Sequence, residues 1–205
     1  MMKLYYTPMT CALSVHIALE ESGADYETQK INFANNEQRS PEFLAINPKG
    51  RVPVLVTDQG TLTETPAMLA YIAQKFPAAK LAPLDDLFKF AEVQSVNSYL
   101  CSTVHVAHAH RVRGIRWADD EQAHESMKKK APQNMADSCK LIEEQILKGP
   151  YIMGNDFSIS DIYLNTICRW LASDNVEISD YPNLNAHFQL VSERPAVKKI
   201  IALHQ

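Results

Sequence analysis

The sequence predicts an α/β domain with the element order βαβαββα, followed by a domain built entirely of helices. Through about the first eighty residues, short apolar runs alternate with segments of helical apolar spacing. The periodicity breaks between residues 76 and 86, a stretch that contains two prolines, and beyond it the pattern is helical throughout. We therefore expect an α/β domain over residues 1–77, a linker over 78–86 and an all-helical domain over 87–205.

The first β-α-β unit begins with a short apolar strand over residues 3–6. A helix over 12–22 follows, with apolar residues at helical spacing and a glycine at its end. Residues 26–31 are a weaker strand candidate, because their polar side chains leave little continuous apolar surface, but a strand there completes the unit. Ser40 as the N-cap residue and Pro41 at the first helical position predict the next, short helix.

The second half of the α/β domain is predicted as a hairpin and a helix. The apolar run 52–56 is a strand in which Pro53 must lie at the start or at a sheet edge, because proline donates no ladder hydrogen bond. A trans Val52–Pro53 bond is the commoner isomer, whereas a cis bond would expose the Val52 backbone to a ligand. Residues 61–64 form the return strand, and Thr65 is expected as the N-cap of the next helix.

Cys11 is the best candidate for a reactive atom, because it lies where the first strand turns into the first helix. There a thiol meets unpaired backbone N–H groups and the positive end of the helix dipole, and both favour the thiolate. The alternative is that Cys11 is a small buried hydrophobic residue. The four cysteines form no C-x-x-C pair, which argues against a zinc ribbon and a dithiol redox centre.

Glu64 and Thr65 lie at a second helix N-terminus. A helix N-terminus attracts a carboxylate, and the Glu64 carboxylate would attract an ammonium group, so the pair suits an amino-acid head group. The alternative is a solvated glutamate beside an ordinary threonine cap.

Three segments in this order resemble the thioredoxin-like domain of cytosolic glutathione transferases, and most closely the bacterial beta class. They are YTPMTCAL at 6–13, NPKGRVP at 47–53 and the pair Glu64-Thr65. Met9 stands where the family has glycine, and Thr65 replaces the commoner serine while keeping a hydroxyl. The resemblance implies a two-domain enzyme with glutathione as cosubstrate and no metal, usually a homodimer, with the second substrate on the helical side of a cleft.

The same resemblance implies the site residues. The catalytic residues would be Cys11 and Thr10. Cys11 either donates a hydrogen bond to the glutathione sulfur or forms a mixed disulfide with it. If Cys11 is inert, Thr10 or Ser14 supplies a hydroxyl instead. Glutathione would be bound by the backbone of Val52, before Pro53, and at its γ-glutamyl end by Glu64 and Thr65. Its glycyl carboxylate would meet Arg51 or Lys49. Asn97 and His105 on the first long helix would also reach the site.

Long helical segments over residues 87–114 and 121–147 make up most of the second domain, with Pro132 expected to kink or divide the second of them. Ser158 and Asp161 have the spacing of a capping box, with which the family also begins a core helix. The histidine-rich stretch 105–110 lacks a nearby cysteine or carboxylate to complete a zinc site, so we expect a polar wall there rather than a metal.

Composition excludes several other classes. The formal net charge is -4, so no electrostatic attraction to nucleic acid or anionic membrane is expected. No segment has signal-peptide or membrane-span character, which predicts a cytoplasmic protein. The resemblance to glutathione transferases implies a transferase that joins glutathione to small electrophiles. A glutathione-dependent thiol-disulfide reductase that uses Cys11 covalently and a non-catalytic binding module on the same fold remain alternatives.

Overall fold

The computed structural model describes residues 1–205, which form two compact units. The first unit comprises residues 1–90 and 193–205, and the second comprises residues 91–192. The sequence prediction had assigned the whole of 87–205 to one helical domain, whereas the structure groups the last helix with the N-terminal residues. No helix is long and apolar enough to cross a bilayer.

The first unit is built on a four-stranded sheet with the strand order β2-β1-β3-β4, in which β1 and β2 are parallel and the other neighbours are antiparallel. This arrangement confirms the predicted order βαβαββα. Its elements are β1 (Met2–Tyr6), α1 (Ala12–Glu21), β2 (Tyr26–Lys30), α2 (Pro41–Ile46), β3 (Val54–Thr57), β4 (Gly60–Thr63) and α3 (Thr65–Lys75), joined by α9 (Pro195–Leu203) from the end of the chain.

The core of this unit lies between the sheet and the helices α1 and α3. Leu4 and Leu55 from the two central strands are fully buried, as are residues 12–19 of α1 almost without exception. The weak strand candidate is β2, and the structure confirms it as a strand at the sheet edge with four exposed residues. An edge strand needs little apolar surface, which explains its polar sequence.

N-cap residues were predicted for two helices of this unit, and one of them needs correction. Ser40 Oγ accepts the Phe43 N–H at 3.2 Å, so Ser40 is the N-cap residue of α2 as expected. At α3 the N-cap residue is Glu64 rather than Thr65. The reason is that the Glu64 carbonyl already accepts the first intrahelical bond, from the Met68 N–H at 3.1 Å, which makes Thr65 the first helical residue.

The regular secondary structure of the second unit is entirely helical, apart from two isolated β-bridges near residue 153. A π-helical turn at Leu100–Val104 separates the two α-helical parts of the first long segment, and a second one at Ile142–Ile146 follows the longest helix. The helices that lie in or enter this unit are α4 (Leu87–Tyr99), α5 (His105–Val112), α6 (Glu121–Leu141), α7 (Ile159–Cys168) and α8 (Pro182–Ser192).

Pro132 does not divide the helix that contains it, because α6 runs unbroken through this residue. A proline inside a helix removes the hydrogen bond to the carbonyl four residues earlier. Here that carbonyl belongs to Lys128, an exposed residue at which water can take the place of the missing donor.

The capping box at α7 is confirmed. The Ser158 N–H donates to Asp161 Oδ2 at 2.7 Å, and the Ser158 side chain caps the helix in return. The other oxygen of Asp161 accepts from the Ile152 N–H at 2.8 Å and lies 3.0 Å from His187 Nε2. Asp161 is fully buried, so its carboxylate joins three segments of the unit at its centre.

Candidate functional site

The loop between β1 and α1 carries Cys11 and is held by its own threonines. The Thr7 hydroxyl donates to the Ile31 carbonyl at 2.7 Å, and the Thr10 hydroxyl donates to the Thr7 carbonyl at 2.8 Å. Cys11 is the N-cap residue of α1, and its half-buried Sγ lies 3.8 Å from the Val52 carbonyl oxygen. The predicted placement of the thiol at the helix start is therefore observed.

The backbone N–H groups that were expected to face this thiol are already bonded. The Ala12 N–H donates to Thr10 Oγ1 at 3.3 Å, the Leu13 N–H to the Thr10 carbonyl at 2.9 Å, and the Ser14 N–H to the Cys11 carbonyl at 3.2 Å. A bonded N–H is no longer available to a sulfur, so these groups do not stabilise a Cys11 thiolate. Only the positive end of the helix dipole still favours it.

The segment before β3 brings Val52 to the same place. The Val52–Pro53 bond is cis, which resolves the two alternatives left open by the sequence. Val52 is 9% exposed, and its N–H has no acceptor within the chain. The buried amide of Asn47 shapes the turn leading to it, donating to the Arg51 carbonyl at 2.8 Å and accepting the Lys49 N–H at 3.2 Å.

Glu64 and Thr65 follow β4 at the start of α3. Thr65 is buried, whereas the Glu64 side chain is 57% exposed and forms an ion pair with Lys49. The Lys49 ammonium also donates to Thr63 Oγ1 at 2.8 Å. Lys49 thus occupies the position beside Glu64 in which the sequence placed a ligand's ammonium group.

The sheet register brings these three segments together at one end. Tyr5 of β1 pairs with Val54, which pairs in turn with Thr63 of β4. Because β1 and β4 both run antiparallel to β3, the loop after β1, the residues before β3 and the start of α3 all leave the sheet at that end. Neighbouring segments of the first unit therefore carry most of the predicted site residues. These are Thr10, Cys11, Arg51, Val52, Pro53, Glu64 and Thr65.

The hydroxyl alternatives to Cys11 have different environments. The Thr10 hydroxyl already donates within the loop and also accepts from the Ala12 N–H. Ser14 is fully buried in α1, and its Oγ has no hydrogen-bond partner. The Thr10 proton is thus engaged in holding the loop.

Asn97 and His105 belong to the second unit. Asn97 is fully buried, and neither its amide oxygen nor its amide nitrogen has a partner. His105 begins α5, with Nδ1 3.4 Å from the Tyr163 hydroxyl. The π-helical turn at Leu100–Val104 lies between them in the chain.

Sequence reasoning did not find the partner of His108. Its Nδ1 lies 2.7 Å from Oδ2 of Asp174, a fully buried carboxylate, and its ring stacks on Trp170 at 4.6 Å. Asp174 is 66 residues away in the sequence, so no local spacing could have indicated the pair. No group of three or more His, Cys, Asp and Glu side chains is arranged to hold a metal ion.

Comparison with known proteins identifies the family. The model of the glutathione S-transferase N-terminal domain matches residues 1–74, and the model of the glutathione S-transferase C-terminal domain matches residues 103–195. The chain belongs to the glutathione S-transferase family. The resemblance stated from the sequence motifs is thereby confirmed over both parts of the chain.

Individual relatives agree with this assignment over almost their whole length. A glutathione transferase homologue from Sulfitobacter, solved with bound glutathione, is 42% identical with a TM-score of 0.96, covering 99% of this chain and 98% of the other. A bacterial beta-class glutathione S-transferase from Sphingomonas chungbukensis is 33% identical with a TM-score of 0.86, covering 98% of both chains. The glutathione S-transferase GstA of Escherichia coli O157:H7 is 28% identical over 98% of both sequences.

Proposed function

We propose that this protein binds glutathione at the end of the sheet in its first unit and conjugates the glutathione thiolate to small electrophiles. The observation that supports this most directly is the backbone of Val52, whose N–H lacks an acceptor at a buried residue. An N–H without a partner at a buried residue is uncommon, so it favours a ligand that accepts this bond. An extended peptide does so with its own backbone, as in the addition of a strand to a sheet edge, and glutathione is a tripeptide.

The γ-glutamyl end of glutathione would lie at Glu64 and Thr65. The first turn of α3 suits its carboxylate, and the Glu64 carboxylate suits its ammonium group. Lys49 must then leave Glu64, which costs little because both side chains are about half exposed, at 47% and 57%, and such pairs contribute about 0–1 kcal/mol. Arg51 is exposed and has no ion pair to break, so it is the better candidate for the glycyl carboxylate.

The reaction needs a thiolate, and hydrogen-bond donors near the sulfur lower the pKa of a bound thiol. The thiol proton leaves to solvent, the glutathione sulfur attacks an electrophilic carbon, and the leaving group departs with its bonding electron pair. Cys11 would donate its S–H to this sulfur, since in the protein alone it donates to the Val52 carbonyl. Thr10 acts by holding the loop. Asn97 and His105 stay predictions from the sequence, as does the homodimer.

A second function is favoured by the half-buried, reachable position of Cys11 beside Val52. In thiol-disulfide exchange, the Cys11 thiolate attacks a glutathione mixed disulfide, forms a disulfide with the glutathionyl sulfur and releases the other thiolate. A second glutathione thiolate then attacks that disulfide, which frees Cys11 and yields oxidised glutathione.

One pair of assays separates these functions. Conjugation of glutathione to an activated chloroarene and reduction of a glutathione mixed disulfide are measured for the wild type and for Cys11→Ser, with glutathione binding measured by calorimetry. For a transferase, Cys11→Ser keeps binding and a substantial part of conjugation. For a covalent reductase, Cys11→Ser keeps binding and abolishes disulfide reduction. If the wild type neither binds glutathione nor turns over in either assay, both proposals are wrong and the non-catalytic module is favoured.

A further inference from the structure

The loop that carries Cys11 is bonded to the far end of the chain. The Met9 N–H donates to Nδ1 of His204 at 3.2 Å, a contact between residues 195 positions apart. His204 is the C-cap residue of α9 and is 2% exposed. Met9 has a φ of 57°, in the left-handed region that residues other than glycine seldom adopt. The bond to His204 is therefore made by the loop residue whose backbone conformation is the least favourable.

The bond fixes the protonation of two histidines in turn. A backbone N–H can only donate, so His204 Nδ1 must accept, and a neutral imidazole then carries its proton on Nε2. This Nε2 lies 2.9 Å from Nδ1 of His16, which must accept and therefore carries its own proton on Nε2. His16 is 2% exposed and belongs to α1, so the loop, the end of α9 and the middle of α1 share one hydrogen-bonded chain.

Both rings have to be neutral for this arrangement. Burial lowers the pKa of His16 to about 4, with a smaller opposing effect of Glu20 and a further lowering by Lys199. Burial likewise lowers the pKa of His204 to about 4, helped by His16 and Lys30. At neutral pH both rings are therefore uncharged, and Nδ1 of His204 remains an acceptor.

The surrounding side chains fix the positions of the two rings. Tyr6 stacks on His204 with a centroid distance of 4.9 Å, and the edge of Tyr26 meets His16 at 5.5 Å.

Ion pairs fasten α9 to α1. Arg194 makes two bonds to Glu21, at 2.6 and 2.8 Å, and Lys199 bonds Glu20 at 2.6 Å. The position of His204 is therefore set by the fold rather than by the loop it contacts.

We propose that His204 is a positioning residue for the Cys11 loop, and that His16 acts through His204 by holding its Nδ1 as a hydrogen-bond acceptor. The acceptor stabilises the left-handed conformation of Met9, and with it the path of the backbone into Thr10 and Cys11. The end of the last helix thus helps to set the orientation of the Cys11 thiol.

The first test is the tautomer of each ring, read by long-range proton–nitrogen NMR at neutral pH. The expected result is a proton on Nε2 and none on Nδ1 in both His16 and His204. A proton on Nδ1 of His204 would overturn the proposal, because that nitrogen could not then accept from Met9.

The second test uses variants and two readouts that need no glutathione, so its outcome is independent of the proposed function. The readouts are hydrogen exchange at the Met9 amide and the alkylation rate of Cys11 followed on its own peptide. His204→Phe keeps an aromatic ring against Tyr6 and removes the acceptor, and His16→Phe removes only the support of the tautomer. In both variants, the exchange rate of the Met9 amide and the alkylation rate of Cys11 should change roughly 3- to 10-fold, which is the effect of one lost hydrogen bond.

Rescue distinguishes positioning from packing. An asparagine oxygen can stand where the histidine Nδ1 stood, so His204→Asn and His16→Asn should return both rates to within about twofold of wild type. The matched control is Leu203→Ala, an exposed neighbour on the same helix, which should leave both rates unchanged. The proposal is wrong if His16→Phe leaves Met9 exchange at the wild-type rate, or if the asparagine variants behave like the phenylalanine variants.

Discussion

Replacing Glu64 by alanine should weaken glutathione binding by an amount that follows from the ion pair at this position. A hydrogen bond to a charged group contributes about 1.5–3 kcal/mol. The ligand's ammonium must displace Lys49 from Glu64, and that exposed pair contributes about 0–1 kcal/mol. The net loss is then about 0.5–3 kcal/mol, or a roughly 2- to 140-fold rise in the glutathione Kd.

Isothermal titration calorimetry with glutathione measures this change directly. The matched control is Glu27→Ala, which removes the same charge from an exposed position on β2, the strand at the opposite edge of the sheet from β4. Glu27→Ala should leave the Kd within about twofold.

A double-mutant cycle with Lys49→Met tests the displacement itself. If Lys49 only neutralises Glu64, Lys49→Met should leave binding equal or tighter, because the ammonium no longer competes. If Lys49→Met weakens binding in a Glu64→Ala background as well, Lys49 contacts glutathione on its own. An unchanged Kd for Glu64→Ala would refute the assigned γ-glutamyl site.

Three further predictions concern the framework of the site and of the fold. Gly50→Ala should destabilise the protein by about 1–3 kcal/mol in urea unfolding, since Gly50 has a φ of 60° and an added Cβ would lie 2.9 Å from the Gln38 carbonyl. Asp161→Ala should cost about 3–5 kcal/mol in the same measurement, because it leaves buried partners without their carboxylate. Stability should fall as the pH drops from about 6.5 to about 4, because the pKa values of His16 and His204 lie near 4 in the folded state and the unfolded chain takes up these protons first. The double variant with phenylalanine at both positions should show a shallower fall in its urea midpoint over this range.

The fold could be predicted from the sequence because its signals are local. A cap such as Ser40 or the box of Ser158 and Asp161 lies within four residues of the N–H groups it bonds, so its spacing is visible in the sequence. The edge strand β2 had little apolar pattern of its own, and it was predicted only because a parallel pair completes the β-α-β unit.

The site was only partly predictable because its decisive contacts are not local. The ion pair between Lys49 and Glu64 depends on the hairpin register that brings residues fifteen positions apart together. The bond from Met9 to His204 depends on where the last helix packs, and no spacing in the sequence encodes that. Motif resemblance could name the segments of the site, but it could not show that Lys49 already occupies the ammonium position.

The same limit applies to Cys11, and it changes the chemistry that we favour for this residue. The sequence argued for a thiolate from free N–H groups, yet the three nearest ones are bonded within the chain. Sγ instead lies 3.8 Å from a carbonyl oxygen, a neighbour that accepts from a thiol and repels a thiolate. This contact favours Cys11 as a hydrogen-bond donor, which leaves the glutathione sulfur as the nucleophile. A serine hydroxyl is a better donor than a thiol, so Cys11→Ser should retain conjugation more fully than Cys11→Ala, a ranking that covalent use of Cys11 would not produce.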